Sequence, residues 1–308
     1  MDAFDVIVVG AGPGGLTAAT YLARFRRRVA VLDGGVPRAA MIPESHNTPG
    51  FPAGISGPEL IERLKAQALE YGVEMIDGRA ERLMPRQNGF DVQTQGRAVQ
   101  AAFVVLAAGI KDLRPAIAGV EDAIRRALVR VCPICDGFEA SGQRIAVLGD
   151  DDLGSREALF LRTYSDRVTL LYAGDPDRLA GAGELRSVGV GVRSVEVEDI
   201  EIAEQAILVR DASPEPETFD CLYLALGCDL HSHLPTMPPL ARDEDGSLVV
   251  DPHQQTSIDG LYAVGDIVRG LNQIAVATGE AAIAATRIHR RLRERDSAQR
   301  GQGGAPGS

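Results

Sequence analysis

Asp5-Val6-Ile7-Val8-Val9-Gly10-Ala11-Gly12-Pro13-Gly14-Gly15-Leu16 decides how this chain folds. Asp5 to Gly10 is short and nearly continuously apolar, as in a parallel strand buried on both faces. A glycine cluster follows. Leu16 to Phe25 then reads as a helix, and Arg26 to Arg28 place positive charge at its C-terminal end, where the helix dipole favours it. Val29 to Leu32 is the next strand and ends in Asp33, which completes a βαβ unit. Gly10, Gly12 and Gly15 fit the spacing G-x-G-x-x-G, with Pro13 inside the same turn. Gly10 allows the tight turn, Gly12 lets the backbone approach a pyrophosphate at the helix N-terminus, and Gly15 lets helix and strand pack closely. Asp33 lies about 20 positions on, where an acid binds a ribose hydroxyl.

Working outward, Glu59 to Tyr71 is an amphipathic helix with Leu60, Leu64 and Ala68 on one face. Gly89 to Gln95 and Ala98 to Leu106 read as strands, the second running into Ala107-Ala108-Gly109. A second strand–turn–helix–strand unit starts at Ile145 to Gly149 and continues through Arg156 to Tyr164 and Val168 to Tyr172, with Leu222 to Leu226 as a late strand. Leu248 to Val250 and Leu261 to Val264 are strands again, the latter followed by Gly265-Asp266. Ile274 to Arg293 is a long Ala-rich helix, and the Gly/Ser/Gln-rich stretch from Glu294 is expected to be disordered. The fold class is therefore α/β with two Rossmann-like dinucleotide-binding domains, the first discontinuous. Its expected bounds are 1–113 and 243–293, around a second domain at 114–242 and ahead of a tail at 294–308.

The 308 residues carry a formal net charge of -11, which argues against nucleic acid and anionic membrane as partners. No apolar run approaches the roughly 20 residues of a membrane span. Phe4 to Val9 reads as a strand with no basic leader before it, and cytoplasm is the expected compartment. Four cysteines in a chain of this length do not make a secreted disulfide scaffold.

Between the two βαβ units lies Cys132-Pro133-Ile134-Cys135-Asp136-Gly137. A C-x-x-C beside such units reads as a redox dithiol. Zinc would need a second close pair, and Cys221 and Cys228 are seven positions apart. No metal is expected. Two inert core thiols remain as the other reading, against which Pro133 and the adjacent carboxylate of Asp136 favour redox work. Cys221 and Cys228 flank a strand and read as core residues, and His231 and His233 as loop residues.

Together these segments resemble the low-molecular-weight thioredoxin reductase family, from about Phe4 to Arg293. The resemblance is carried by the glycine cluster, Asn47-Thr48-Pro49-Gly50-Phe51-Pro52, Ala107-Ala108-Gly109, the C-x-x-C stretch, Gly265-Asp266 and Asn272-Gln273-Ile274-Ala275. It implies an FAD domain built from the first and last thirds and an inserted NADPH domain carrying the dithiol. It implies that Cys135 faces the flavin, that Cys132 meets the partner disulfide, and that Asp136 is the acid/base. FAD contacts would come from Gly10, Gly12, Pro13, Gly15, Asp33, Asn47, Gly109, Gly265 and Asp266, with Gln273 and Ile274 against the isoalloxazine ring. The implied assembly is a homodimer acting on a thioredoxin-like protein or a small dithiol or disulfide.

The departures concern the second nucleotide site. The family opens its middle domain with G-G-G-x-S-A; here the stretch is Gly149-Asp150-Asp151-Asp152-Leu153-Gly154. The family's H-R-R, whose arginines hold the 2′-phosphate, is replaced by Tyr172-Ala173-Gly174. A carboxylate about 5 Å from a phosphate costs roughly 3 kcal/mol at an effective dielectric near 20. A lost charge-assisted bond adds about 1.5–3 kcal/mol. One of each weakens NADPH by about three orders of magnitude. NAD is not rescued, because no acid follows Tyr172 at the ribose position. The expected function is FAD-dependent thiol–disulfide oxidoreduction without NADPH as donor: a dithiol oxidase, a ferredoxin-fed form or one with another ligand. The alternatives are an ordinary NADPH-dependent thioredoxin reductase and, from another class, a flavin-bound redox sensor.

Overall fold

The computed structural model describes residues 3–174, 179, 181–210, 215–230, 239–268 and 270–302. His231, His233 and most of the Pro-rich stretch at 234–240 lie outside them.

The chain divides into two compact units, residues 1–40, 58–110 and 230–308, and residues 41–57 and 111–229. The first is built on the strand that opened the sequence reading, Ala3–Val9, which pairs in parallel with Val29–Asp33 and with Arg97–Leu106. Glu74–Asp77 extends one side, and Leu261–Ala263 adds in parallel to Arg97–Leu106. Gly89–Thr94 and Ala80–Arg86 continue the other side as an antiparallel meander, giving seven strands. Apolar residues alternate to both faces of the central strand. Val6 and Val8 join Leu16 and Leu22 of the helix Pro13–Arg24 and Ala281, Ala284, Ala285 and Ile288 of the helix Ile274–Gln302. Ile7 and Val9 join Leu83, Phe90, Val92 and Leu261 on the opposite face.

Two glycines make this packing possible. A Cβ on Gly15 would lie 2.0 Å from the Gly10 carbonyl oxygen, and one on Gly10, at φ +112°, would lie 2.3 Å from that of Ala107. No side chain fits where helix, turn and neighbouring strand meet.

The second unit carries a five-stranded parallel sheet in the order Gly191–Ser194, Val168–Tyr172, Ile145–Gly149, Cys221–Ala225, Val129–Arg130. A three-stranded antiparallel sheet, Ile200–Ile202, Ile207–Val209 and Glu217–Phe219, closes over it through Phe219, Ile207 and Leu148. The helix Asp152–Leu161 packs through Ala158 and Leu161 against the parallel sheet's other face.

Four details differ from the sequence reading. The unit boundaries fall at 110 and 230 rather than 113 and 242, because Leu240, Leu248 and Val250 already pack on the first unit's core. Residues 41–57 group with the second unit, where Ser45 bridges Ile55 and Asn47 donates to the Ile134 carbonyl. Leu248 makes isolated bridges to Arg242 and Val268 rather than a strand. The last helix continues past Arg293 to Gln302. Ser297 Oγ donates to the Arg293 carbonyl, and Asp296 pairs with Arg27 at 2.8 Å, so polar composition here marks an exposed helix end. Residues 303–308 lie outside the described residues.

Gly15→Ala is expected to cost about 2–4 kcal/mol or to block folding, since backbone rather than a mobile side chain meets the new Cβ. In contrast, Gly12→Ala finds only the Pro37 Cβ at 3.8 Å and is expected to cost less than about 1 kcal/mol of fold stability. Chemical denaturation of the two variants beside wild type measures both.

Candidate functional site

The N-terminus of the helix Pro13–Arg24 is bare. Its N-cap is Gly12, which supplies no side-chain acceptor, and Pro13 at the first position lacks an amide hydrogen. Its first turn carries no acidic residue, and among the described residues no side-chain hydrogen bond caps it at Gly12. Gly12 has open space where a Cβ would project, so a ligand can reach the backbone. Asp33 ends the second strand, its Oδ1 accepting from the Gly35 amide at 3.3 Å and its Oδ2 paired with Lys65 Nζ at 3.3 Å. This cradle fits the ADP half of FAD: amides and dipole for the pyrophosphate, and the Asp33 side chain as an acceptor for the ribose.

On the same unit, Gly265 and Asp266 follow the strand Leu261–Ala263 in a short 3-10 turn, Gly265–Ile267. The Gly265 amide donates to Glu280 Oε2 at 2.7 Å, and Asp266 Oδ2 lies 3.4 Å from Arg38 Nη1. Burial holds the Glu280 carboxyl above the usual range, and the Gly265 amide pulls it back. Glu280, Arg38 and Lys65 were not singled out from sequence; none belongs to a motif. Ile274 is the first residue of the last helix, and the Gln273 carbonyl accepts from the Ala277 amide as that helix starts. Gly109, at φ +67°, turns the chain after Ala107-Ala108. Asn47 groups with the second unit.

The dithiol lies on the second unit. Cys132 and Cys135 are joined in a disulfide with Cα atoms 5.3 Å apart. Cys132 caps a single helical turn, Pro133–Asp136, and its carbonyl accepts from the Cys135 amide at 2.9 Å. A Cβ on Gly137 would lie 2.5 Å from the Pro133 carbonyl, so glycine closes the turn. Asp136 ends it, partly buried, with Tyr223 Oη donating to its Oδ1 at 2.8 Å and Arg130 Nη1 3.6 Å from its Oδ2. Burial pushes the Asp136 carboxyl up, against the opposing pull of Arg130 and Tyr223. A carboxyl held above its ordinary range beside a disulfide is suited to proton exchange with a thiol. Cys221 is buried, and burial pushes its thiol up to about 12, so it is an inert core thiol. Cys228 is exposed, against the expectation that both would be core residues.

The second glycine loop keeps its packing and changes its chemistry. A Cβ on Gly149 would lie 2.8 Å from Gly154 Cα, so strand and helix approach as closely as in the first unit. Here, however, the N-cap is Asp151, whose Oδ1 accepts from the Leu153 amide at 2.7 Å. The chain's own carboxylate sits at the helix N-terminus. One turn on, burial pushes Glu157 up to about 8, with Arg156 opposing and Asp112 and Asp151 adding to the rise. Its Oε2 is buried without a hydrogen-bond partner. Where the next strand ends, Ala173 and Gly174 offer no charge.

Glu157 makes stability depend on pH. Its folded-state affinity for a proton exceeds that of the unfolded chain, so its contribution is complete below the ordinary glutamate range. It is lost as pH rises toward about 8. Glu157→Gln is expected to remove this loss, so the melting temperature of wild type falls relative to the variant between acid and mildly alkaline pH. Melting curves of the two proteins across that range check it, and parallel curves would refute it.

Residues 4–281 match the family described as pyridine nucleotide-disulphide oxidoreductase. The thioredoxin reductase of Treponema pallidum is 29% identical over 296 residues, covering 92% of this chain and 95% of its own. That of Streptomyces coelicolor is 31% identical over 284 residues, 87% of each chain. The crystal structure of thioredoxin reductase from Streptococcus pyogenes matches with a TM-score of 0.86 at 26% identity, covering 95% of this chain and 99% of that one. With its bare glycine loop, its C-x-x-C disulfide and these relatives along nearly its whole length, the chain belongs to the pyridine nucleotide-disulphide oxidoreductase family, in its low-molecular-weight thioredoxin reductase branch, and is an FAD-dependent disulfide oxidoreductase.

Proposed function

We propose that this enzyme exchanges electrons between FAD and the Cys132–Cys135 pair without NADPH as its donor. The observation that carries the reading is the Asp151 carboxylate capping the helix Asp152–Leu161. A pyrophosphate approaching that helix meets a fixed negative charge instead of free amides, and at about 5 Å the repulsion is roughly 3 kcal/mol. Asp150 and Glu157 add to the acidic surroundings, and Ala173 and Gly174 give a 2′-phosphate nothing to bind.

The first unit would hold FAD through the amides after Gly12 and Pro13, between Gly10 and Gly15, with Asp33 on the ribose and Gly265 and Asp266 on the ribityl side. Gly109, Gln273 and Ile274 complete this unit's assignment; Asn47 is assigned to FAD by the resemblance alone. When bound, FAD supplies a two-electron acceptor or donor. On the protein side, Cys132 meets the partner thiol or disulfide, Cys135 faces the flavin, and Asp136 takes or returns a proton as the pair opens and closes. The partner is a thioredoxin-like protein or a small dithiol, a reading supported by relatives that are themselves thioredoxin reductases. A cytoplasmic homodimer belongs to the same reading. Among the described residues, no helix is long and apolar enough to cross a membrane.

Stoichiometric NADPH is expected to reduce the flavin far more slowly than the roughly 10 s⁻¹ of a typical enzyme, whereas dithiothreitol reduces it fully. Anaerobic stopped-flow spectroscopy of the yellow protein measures both. Rapid bleaching by micromolar NADPH would make this an ordinary NADPH-dependent reductase.

Cys135→Ser is expected to abolish reduction of the flavin by dithiols. Cys132→Ser leaves a Cys135 thiolate beside the ring, seen as long-wavelength charge-transfer absorbance. If both variants keep the wild-type rate with dithiothreitol, the pair is structural.

A further inference from the structure

Arg130 and Tyr223 belong to no motif, yet both reach the last residue of the dithiol turn. They are register partners on the parallel strands Val129–Arg130 and Cys221–Ala225. Each is almost fully removed from solvent, Arg130 at 9% exposure and Tyr223 at 0%. Arg130 Nε donates to the Ala127 carbonyl at 3.0 Å and its Nη1 to the Asp136 carbonyl at 2.8 Å. One guanidinium thus ties the chain before the disulfide to the chain after it. Ala127 itself holds φ +56°, a conformation that a residue with a Cβ adopts only when its surroundings fix it. Tyr223 Oη donates to Asp136 Oδ1 at 2.8 Å and lies 3.2 Å from the Asp136 carbonyl.

A buried arginine and a buried tyrosine hydroxyl are costly unless their bonds are made. Here Arg130 Nη1 and the Tyr223 hydroxyl direct theirs at Asp136, main chain and side chain. We propose that Arg130 and Tyr223 are positioning residues that fix the Asp136 carboxyl beside the dithiol and set the pH range in which it exchanges protons. The proposal rests on the dithiol chemistry of the preceding subsection.

The chemistry makes the sign of the effect independent of direction. Closing the disulfide breaks two S–H bonds and forms one S–S bond. Bound FAD would take up the two electrons with one of the protons, and the other proton would pass to Asp136. Opening it reverses every item of that balance. Asp136 must be ionised to act in the first direction and protonated to act in the second, so the rate limb follows its titration either way. The groups facing it are Arg130 and Tyr223, which favour ionisation, and Glu139, which opposes it, while burial of the site also disfavours the charge. Cys221 lies in the same cluster and stays a neutral thiol. Removing the Tyr223 hydroxyl or the Arg130 charge therefore moves the limb to higher pH.

The test is anaerobic reduction of the FAD-loaded enzyme by dithiothreitol, followed by stopped flow from about pH 5.5 to 9. Asp136→Asn is expected to lose the limb. Tyr223→Phe, which keeps the ring, is expected to move its midpoint up by about 0.5–1 unit. Arg130→Gln moves it further and slows exchange near neutral pH by about tenfold, and Arg130→Lys restores most of the shift because it keeps the charge. Titration of dithiothreitol itself is common to all variants and cancels in the comparison. If Asp136→Asn abolishes the limb while Tyr223→Phe and Arg130→Gln leave its midpoint at the wild-type pH, the two residues only pack the fold and the proposal is overturned. A limb that survives in Asp136→Asn also overturns it, since Asp136 is then not the titrating group. Should Tyr223→Phe fail to retain FAD, the Gln and Lys variants of Arg130 decide alone. Wild type that dithiothreitol cannot reduce at any pH defeats the dithiol reading itself, and this proposal with it.

Discussion

Everything in this molecule that concerns nucleotides turns on what occupies the N-terminus of a helix laid tightly on its strand. Such a helix end leaves amides without partners and a positive dipole end, and something must satisfy both. In the first unit, glycine packing brings the helix within reach of the strand, and the N-cap Gly12 contributes no acceptor. The place is left to a ligand. In the second unit the same close packing exists between Gly149 and Gly154, but Asp151 caps the helix from within the chain. At their helix N-termini, two units built on one architecture therefore differ in the source of the negative charge.

The dithiol shows the same economy of scaffold. A single turn with proline at its start and glycine at its end holds two cysteines within disulfide reach. The turn is too short to hold itself in water, where isolated helical segments are marginal. Its rigidity comes from below, from the strands Val129–Arg130 and Cys221–Ala225, whose side chains bond its last residue. Position and proton affinity of Asp136 are in that sense one property, because the groups that hold the carboxyl also carry the charge and hydrogen bond that act on its titration.

What was legible in the sequence was what is contiguous. The glycine loop, Asp33, the C-x-x-C stretch and the three aspartates of the second loop each occupy a run whose spacing is their meaning. Strand and helix bounds around them followed from apolar periodicity, since parallel strands buried on both faces read as apolar runs. Tyr223 and Asp136 are 87 positions apart and meet because the strand of Tyr223 pairs in parallel with Val129–Arg130, just ahead of the dithiol turn, a register that no local pattern records. Glu280, which receives the Gly265 amide, was hidden for the same reason. The segment around Asn47 groups by its contacts with the second unit, where Ser45 bridges Ile55 and the Asn47 side-chain amide donates to the Ile134 carbonyl 87 positions on, a pairing that no local pattern records. The helix beyond Arg293 was missed because polar residues were read as disorder, though an exposed helix end is polar as well.

The Asp151 cap also changes how the second unit is stabilised. A helix whose N-terminus waits for a phosphate gains RT ln(1 + [L]/Kd) from its ligand and so becomes more stable only when nucleotide is abundant. A helix capped by its own aspartate has about 0.5–2 kcal/mol built in at all times. The unit can then keep its sheet, and with it the strands that position the dithiol, whether or not any nucleotide is present. On the proposed function the cost falls on affinity: a pyrophosphate approaching this helix would have to displace a carboxylate already bonded to the Leu153 amide, losing that bond before gaining its own. The presence of Gly149 and Gly154 beside the aspartates fits this balance, because those glycines serve the packing of the scaffold, and the scaffold still has a disulfide to carry.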